Sequence, residues 1–228
     1  TLVGSPTFNT SGWFSLDGST QYANTGLPGA TTFTTDSEFT IAAWVNFTSY
    51  KPAAASIGTL AAALYYQGYG LYWQGTPTTY NIGSYMRYAS TVSSNLSAAV
   101  VPGSWYYAVQ TYSRSGNSHK LYINGVLSAS TTTISGAYNT NLNGVYIGIG
   151  YGAGSDGTPG GVTSGTPLYG SVSQVMIYNR ALTAAEVLQN YNALVGRYGL
   201  TANTSGTAIQ RTTSNTVLAE QFDEVTYN

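Results

Sequence analysis

The chain has 228 residues, of which 43% are apolar and only 7% are charged, and its formal net charge is −1. Soluble domains carry about 25% charged residues, so the surface of this protein must be built mostly from Ser, Thr, Asn, Gly and Tyr. The seven basic residues form no run and there is no cysteine, which excludes a nucleic-acid-binding stripe, disulfides and thiolate metal sites.

Short runs rich in Tyr, Val, Ile and Thr alternate with clusters of Gly, Pro, Asn and Ser, a pattern typical of a many-stranded antiparallel sandwich. No run approaches the roughly 20 apolar residues of a membrane span, so we expect no membrane insertion. The sequence predicts ten strands, near Trp13–Asp17, Phe39–Thr48, Thr59–Tyr66, Gly70–Gln74, Ile82–Tyr88, Trp105–Ser113, His119–Asn124, Val126–Ser130, Val145–Ile149 and Tyr169–Asn179.

The clearest local signal is a hairpin in the middle of the chain. Leu121 and Ile123 alternate with polar-tipped neighbours, and the dipeptide Asn124-Gly125 follows them. Asn and Gly tolerate the positive φ angles that a tight type I′ turn requires. The segment therefore predicts two antiparallel strands joined at Asn124-Gly125.

One helix is predicted after the last long strand. Thr183 and Glu186 have the spacing of a capping box, in which each side chain satisfies a free backbone N–H. Gly196 is the predicted C-cap, and Arg197 would lie near the negative end of the helix dipole. Apolar residues recur between them at helical spacing, at Val187, Leu188, Tyr191, Leu194 and Val195.

The composition changes near the end of this helix, which divides the chain into two predicted parts. Residues 1–198 are expected to form the sandwich, and residues 199–228 an arm or an exit linker. Phe222, Val225 and Tyr227 are unusual in a bare linker, which favours an arm that pairs with a neighbouring chain.

Four segments carry a family resemblance and follow one another in the expected order: 14–22, 39–45, 105–125 and 169–186. They resemble the laminin-G-like domains of the concanavalin A-like superfamily, especially those of bacterial, environmental and phage surface proteins. The resemblance implies an all-β antiparallel jelly-roll sandwich with one short C-terminal helix. It also implies a location outside the cell or on a virion surface.

One departure from the family pattern concerns calcium. Where the family's last strand has Ile-Asp, this chain has Val172-Ser173-Gln174 and so lacks a carboxylate that could help bind calcium. Asp17 and Asp156 could meet at one rim, but calcium needs six to eight oxygen ligands, so two carboxylates would form a weak site. We expect no cofactor, and we expect Asp17 to hold the turn around Gly18.

The sequence offers little for catalysis. Asp36 and Glu38 could share one face of a strand, but they precede the strand in a Thr-rich turn and lack the pattern of sandwich-type glycan hydrolases. His119 is the only histidine, and no Gly-x-Ser-x-Gly elbow accompanies it. We expect His119 to be exposed beside a turn and the protein to be no enzyme.

Tyrosine is the most unusual feature, with 21 residues. Aromatic rings stack on sugars and supply contact area at protein interfaces, but they also pack in cores. We expect Trp13, Trp44 and Trp105 to be core residues, whereas packing, subunit contact and glycan contact all remain open for one concentrated group: Tyr65, Tyr66, Tyr69, Tyr72, Trp73, Tyr80, Tyr85 and Tyr88.

Two functional hypotheses follow from different classes. The first is a structural or decorating protein on a virus (phage) particle or another extracellular assembly, with other subunits as partners. It rests on the low charge, the tail and the resemblance. The alternative is a secreted carbohydrate-binding module or adhesin that docks on glycans through tyrosines. A glycan hydrolase is the third and least favoured hypothesis.

Overall fold

The computed structural model describes residues 1–27, 38–48, 57–63, 69–75, 78–88, 92–134, 145–149, 168–203 and 216–221. Within these ranges the chain forms strands, one α-helix and one 3-10 helix. The strands are β1 Leu2–Val3, β2 Thr7–Asn9, β3 Trp13–Asp17, β4 Tyr22–Asn24, β5 Phe39–Phe47, β6 Ile57–Ala63, β7 Tyr69–Gly75, β8 Tyr80–Tyr88, β9 Val92–Ala99, β10 Tyr106–Ser113, β11 Ser118–Ile123, β12 Val126–Thr131, β13 Tyr146–Ile147, β14 Tyr169–Tyr178 and β15 Thr216–Gln221. The helices are α1 Ala184–Leu194 and a 3-10 turn Val195–Tyr198.

Two antiparallel sheets form the body. Sheet A has the order β1-β4-β13-β6-β7-β8-β9, and sheet B has the order β12-β11-β10-β5-β14-β3-β2, with β15 beside β14. The predicted antiparallel sandwich is confirmed, and each of the ten predicted strands corresponds to an observed one within a few residues. Among the described residues, no helix is long and apolar enough to span a membrane.

The inner core lies between the two sheets. Alternate residues of β5, including Ile41 and Val45, point inward, because successive side chains of a strand point to opposite faces. They meet residues of sheet A such as Leu71, Trp73 and Ile82, all 1% exposed or less.

A second core, which we call the outer core, lies between the other face of sheet B and the helical segment. Ala42 and Trp44, on the opposite side of β5, are fully buried against the helical segment, in which Val187 and Tyr191 face the sheet. Strand β5 is therefore apolar on both faces, which explains its nearly continuous apolar sequence. The molecule has three layers, namely sheet A, sheet B and the helix.

Aromatic contacts hold the helix against sheet B. The ring of Trp44 stacks on Tyr198 at a centroid distance of 4.0 Å and on Tyr191 at 5.7 Å. Trp105 packs against Tyr198 at 4.8 Å and meets Trp13 edge-on at 5.3 Å. The predicted core position is confirmed for Trp44, which is fully buried, whereas Trp13 and Trp105 make these ring contacts while half-buried.

The capping box begins α1 as predicted. The Thr183 hydroxyl accepts the Glu186 N–H, while the Glu186 carboxylate accepts the Thr183 N–H. Glu186 also forms a two-pronged ion pair with Arg180, whose hydrogen bonds lower the Glu186 pKa to about 2 despite partial burial.

The predicted end of the helix at Gly196 is wrong. The chain continues through the 3-10 turn, and Gly199 takes the left-handed position with φ 68°. The extra turn buries Val195 and Tyr198 in the outer core. Tertiary packing therefore extends the helical segment past Gly196, although glycine is common where helices end. Arg197 instead donates to the carbonyls of Ser11 and Gly12.

Ser173, which stands where the pattern that this chain resembles has an acidic residue, joins three parts of the fold. It lies in a β-bulge, where the pairing of β14 with β5 shifts register between Val172 and Val175. Its hydroxyl donates to the Gly12 carbonyl at 2.7 Å and accepts from the Tyr198 hydroxyl at 2.8 Å. All of these contacts are buried. A carboxylate at this position would lose its hydration at a cost in free energy, whereas the short neutral side chain of serine does not carry that cost.

The predicted hairpin is confirmed. Asn124 and Gly125 both have positive φ, 52° and 81°, as a type I′ turn requires. The Asn124 side chain also accepts the Tyr107 N–H at 2.9 Å, which ties the turn to the neighbouring strand.

Part of the predicted arm belongs to the sandwich. Strand β15, residues 216–221, pairs with residues 174–178 of β14 in the chain's own sheet. Phe222, Val225 and Tyr227 lie outside the described residues, so their attachment role stays a prediction.

We predict that removing the Ser173 hydroxyl loosens the helical layer. Ser173→Ala leaves the Gly12 carbonyl and Tyr198 hydroxyl without this partner and should lower the free energy of unfolding by about 1–3 kcal/mol. Tyr198→Phe, which leaves the Ser173–Gly12 bond intact, should cost about 0.5–1.5 kcal/mol. Urea unfolding followed by tryptophan fluorescence measures both.

The exposed Ser128 is the matched control, since Ser128→Ala should change stability by less than about 0.5 kcal/mol. An equal effect of Ser173→Ala and Ser128→Ala would contradict this account of the network.

Candidate binding face

The outward face of β7, β8 and β9 is the sheet surface best placed to meet a ligand. The central strands of sheet B are buried on one side by the inner core and on the other by the helical layer. In sheet A, by contrast, Gln74, Asn95 and Ser97 are exposed on the side away from the core. We call this side of β7–β9 the outer face.

Cross-strand pairing arranges the outer face in three rows. Directly opposed residues lie about 4.5–5.5 Å apart, so each row forms one continuous strip of side chains. The rows are Gln74–Asn81–Ala99, Tyr72–Gly83–Ser97 and Gly70–Tyr85–Asn95.

Two tyrosines form the base of this surface, and each lies opposite a glycine. Tyr72 is opposite Gly83, where a Cβ atom would come within 2.3 Å of the tyrosine ring. Tyr85 is opposite Gly70, and the two tyrosine rings lie 6.1 Å apart. The absence of a side chain at Gly83 therefore leaves the space that the Tyr72 ring occupies. Both tyrosines are nearly buried, Tyr72 at 6% exposure and Tyr85 at 3%.

Amides and hydroxyls are the groups that the outer face offers to solvent. Gln74 and Asn95 are exposed amides, Asn81 is a half-buried one and Ser97 is an exposed hydroxyl. An amide both donates and accepts hydrogen bonds, as a hydroxyl does. The three rows contain no charged residue, so this part of the surface suits a neutral polar ligand.

The predicted tyrosine group divides between the two sides of sheet A. Tyr69 and Trp73 lie in the inner core at 0% and 1% exposure, so of the three roles left open for this group they have the packing role. Tyr80 also packs inward, 6.0 Å from Phe47. Tyr72 and Tyr85 belong to the outer face. Three members lie outside the described side chains: Tyr65, Tyr66 and Tyr88.

The sequence analysis missed the polar residues of the outer face. Strand β9 was not predicted, because Leu96 and Ala98 are the only apolar side chains between Asn95 and Ala99. The available signal was the alternation in β7, where Gln74 falls on the opposite side from Leu71 and Trp73.

Asp17 holds a turn, as expected. Its Oδ1 accepts the backbone N–H groups of Ser19, Thr20 and Gln21 at 2.8–3.2 Å. Burial acts to raise the pKa of Asp17, but these hydrogen bonds prevail and lower it. Asp156 lies outside the described residues, so the weak calcium site stays a prediction. The described residues contain no group of three or more His, Asp or Glu side chains suited to a metal.

Glu38 also has a structural role. Its carboxylate accepts the hydroxyls of Ser113 and Ser115, which lowers the Glu38 pKa despite partial burial and ties the start of β5 to the turn after β10. Asp36, its predicted partner in a carboxylate pair, lies outside the described residues.

The expected exposure of His119 is wrong, because this side chain is fully buried between the sheets. Its Nε2 lies 2.9 Å from the Ser84 hydroxyl of sheet A and 3.2 Å from the Gln110 amide of sheet B. The same amide donates to the Tyr85 carbonyl, so its nitrogen faces His119 and Nε2 must accept. Desolvation lowers the His119 pKa to about 3.

The missed signal is strand alternation. In β11, His119 shares the inward side with Leu121 and Ile123, which the period of two already implied. A buried neutral ring bonded to Ser84 and Gln110 links the sheets, and its zero exposure closes this serine–histidine pair to any substrate.

We predict a pH dependence that belongs to His119. Between about pH 6.5 and 3 the unfolded chain binds a proton at this ring and the folded chain does not. The free energy of unfolding therefore decreases as the pH is lowered through this range, by up to about 1.4 kcal/mol per pH unit. Denaturant unfolding of wild type and His119→Gln at pH 7, 5.5 and 4.5 measures the difference. A gap between the two proteins that does not change with pH would contradict the buried neutral ring.

The family model of the concanavalin A-like lectin/glucanases superfamily matches residues 17–188 of the chain. A search of curated proteins found no match to the sequence.

Solved structures share this architecture. The binding domain of botulinum neurotoxin serotype G superposes with a TM-score of 0.59 at 17% identity, covering 84% of this chain and 45% of that one. A Bacteroides ovatus protein with a proposed carbohydrate-binding role gives 0.53 at 18% identity, covering 98% and 52%. A Trypanosoma rangeli sialidase gives 0.54 at 21% identity, covering 81% and 28%. The chain thus spans about half or less of these proteins, and at such identities the likeness establishes the fold.

Proposed function

Because this chain belongs to the concanavalin A-like lectin/glucanases superfamily, we propose that it is a non-catalytic carbohydrate-binding module whose ligand lies across the outer face of β7–β9. The observation that carries the proposal is the composition of that face. Exposed amides and a hydroxyl stand in rows around two fixed tyrosine rings, without a charge on the described side chains.

A neutral glycan fits this chemistry. Sugar hydroxyls both donate and accept hydrogen bonds, and Gln74, Asn81 and Asn95 can answer either requirement. The three amides stand on paired strands, so they are held at fixed spacings before the ligand arrives. Because Tyr72 and Tyr85 are largely buried, the glycan would be bound mainly by hydrogen bonds from the amides. The two rings would support the strands that carry these amides.

The absence of catalysis is part of the proposal. Each carboxylate whose side chain is described has a structural engagement, Asp17 in its turn, Glu38 with two serines and Glu186 with Arg180. A glycosidase needs one such group as acid and another as base or nucleophile. An extracellular location accords with the family and with the low surface charge.

We predict that adding a charge to the middle row abolishes glycan binding. Ser97→Glu places a larger, charged side chain beside Gly83 and should weaken binding at least tenfold, about 1.4 kcal/mol, while exposure keeps the fold intact. An array of neutral polysaccharides identifies the ligand, and calorimetry then compares the variants.

Ser130→Glu is the matched control, because Ser130 is an exposed strand serine in β12 of sheet B, outside the three rows. It should bind as wild type does. Repeating the array with a chelator tests for calcium at Asp17. Silence across the array, or equal binding by both variants, would contradict the proposal.

A structural or decorating role on a virus particle or another extracellular assembly is the second candidate. The observation that favours it is the terminal strand β15, which completes sheet B from a distant part of the chain. Both roles are compatible, since an assembled protein can also present a glycan-binding face. Electron microscopy of the native source material tests the assembly role: a regular lattice or filament containing this chain would support it, and free monomers would contradict it.

A further inference from the structure

The side of β14 that receives β15 is an acceptor site for a strand. Strand β5 pairs with one side of β14 along its length, whereas the other side is shared end to end by β3 at residues 169–172 and by β15 at residues 174–178. We call residues 174–178 on that side the acceptor edge.

The acceptor edge exists because β3 cannot continue along β14. The chain turns back before Trp13, with Gly12 at φ 87° and its N–H bonded to the Asn9 carbonyl at 2.8 Å. The Ser173 hydroxyl and the Arg197 guanidinium both bond to the Gly12 carbonyl. The turn is therefore fixed in place, and the backbone beyond Ser173 needs another partner.

The acceptor edge is preformed by both cores. Val175 and Ile177 point into the inner core, while Met176 and Tyr178 point into the outer core. These side chains pack against residues of the sandwich and the helical layer, so the edge does not depend on β15 for its shape. An open central edge of this kind is a template for pairing with a further strand.

Asn203 marks where the fixed body ends. Its N–H donates to the Asn192 side chain at 2.8 Å, its carbonyl accepts from the same side chain at 2.7 Å, and its own amide donates to the Asn124 carbonyl. Twelve residues rich in Thr and Ser, 204–215, separate this anchor from β15.

The length of this connection allows two outcomes. Twelve residues reach at most about 45 Å when extended. The anchor lies beside β11 at Asn124, four strand positions from β15, or about 19 Å across the sheet. The strand can therefore return to its own body or extend to a neighbouring one.

We propose that residues 216–221 are an exchangeable assembly strand, which pairs with the acceptor edge of a second copy of this chain in the register it has with its own. A second copy is the matching partner because it presents the same buried residues and the same bulge between Ile177 and Tyr178. A tethered strand sees its own edge at millimolar effective concentration, so exchange prevails when copies are crowded or held side by side.

Shortening the connection is the most direct test. Deleting residues 206–213 leaves four residues that reach about 17 Å, less than the distance of about 19 Å across the sheet to the chain's own edge. Light scattering at about 10 μM, far below the millimolar effective concentration, should find dimers or larger species. The matched control replaces residues 206–213 with eight Gly and Ser residues and should remain monomeric.

Leu218→Pro in the shortened chain should restore the monomer, because proline breaks the pairing of Leu218 with Ile177. A folded, monomeric shortened chain overturns the proposal, as does a dimer that survives Leu218→Pro.

The unaltered chain provides a second measurement in case the deletion prevents folding. Refolded at about 1 mM, near the effective concentration of the tether, it should yield dimers that persist on dilution. Leu218→Pro refolded in the same way should give monomers only. Equal amounts of dimer from both chains would overturn the proposal. Neither result bears on glycan binding, which involves the opposite sheet.

Discussion

The stack of Trp44 with Tyr198 and Tyr191 is the contact on which the rest of the structure depends. It places the helical layer over sheet B and makes β5 a strand buried on both faces. Stacked aromatic pairs contribute about 0.5–1.5 kcal/mol each beyond the area they bury. More important is the consequence for function, since the covered sheet leaves the outer face of sheet A to meet a ligand.

The two sheets have correspondingly different polar chemistry. In sheet B, the hydroxyls of Ser173 and Tyr198 form hydrogen bonds that link the helical segment to the turn at Gly12. Between the sheets, Ser84 and Gln110 bond to His119 and to the backbone. On the outer face, the amides of Gln74 and Asn95 remain at the surface.

Much of the fold could be predicted from the sequence, because strong local patterns coincide with tertiary needs. The Asn124-Gly125 turn and the capping box at Thr183 satisfy their own backbone groups, so they form where the sequence predicts them. The end of the helical segment, which includes the 3-10 turn Val195–Tyr198, could not be predicted from Gly196, because it depends on the burial of Tyr198 against sheet B.

The proposed binding face was less predictable for a similar reason. The number of tyrosines does not place them, whereas strand alternation puts Tyr69 and Trp73 inside and Tyr72 and Tyr85 outside. Two of the polar residues, Asn95 and Ser97, come from β9, whose small side chains predict no strand. They gain their position from pairing with β8, which no local pattern reveals.

Mapping a bound glycan by backbone amide chemical shifts tests the central claim most directly. Titration with a neutral oligosaccharide selected on the array should shift the amides of β7–β9, around Gln74, Gly83 and Ser97, and leave β5, β10 and β14 unchanged. Shifts confined to sheet B, including its β11–β12 hairpin, or to the helical layer would contradict the account and place the ligand elsewhere.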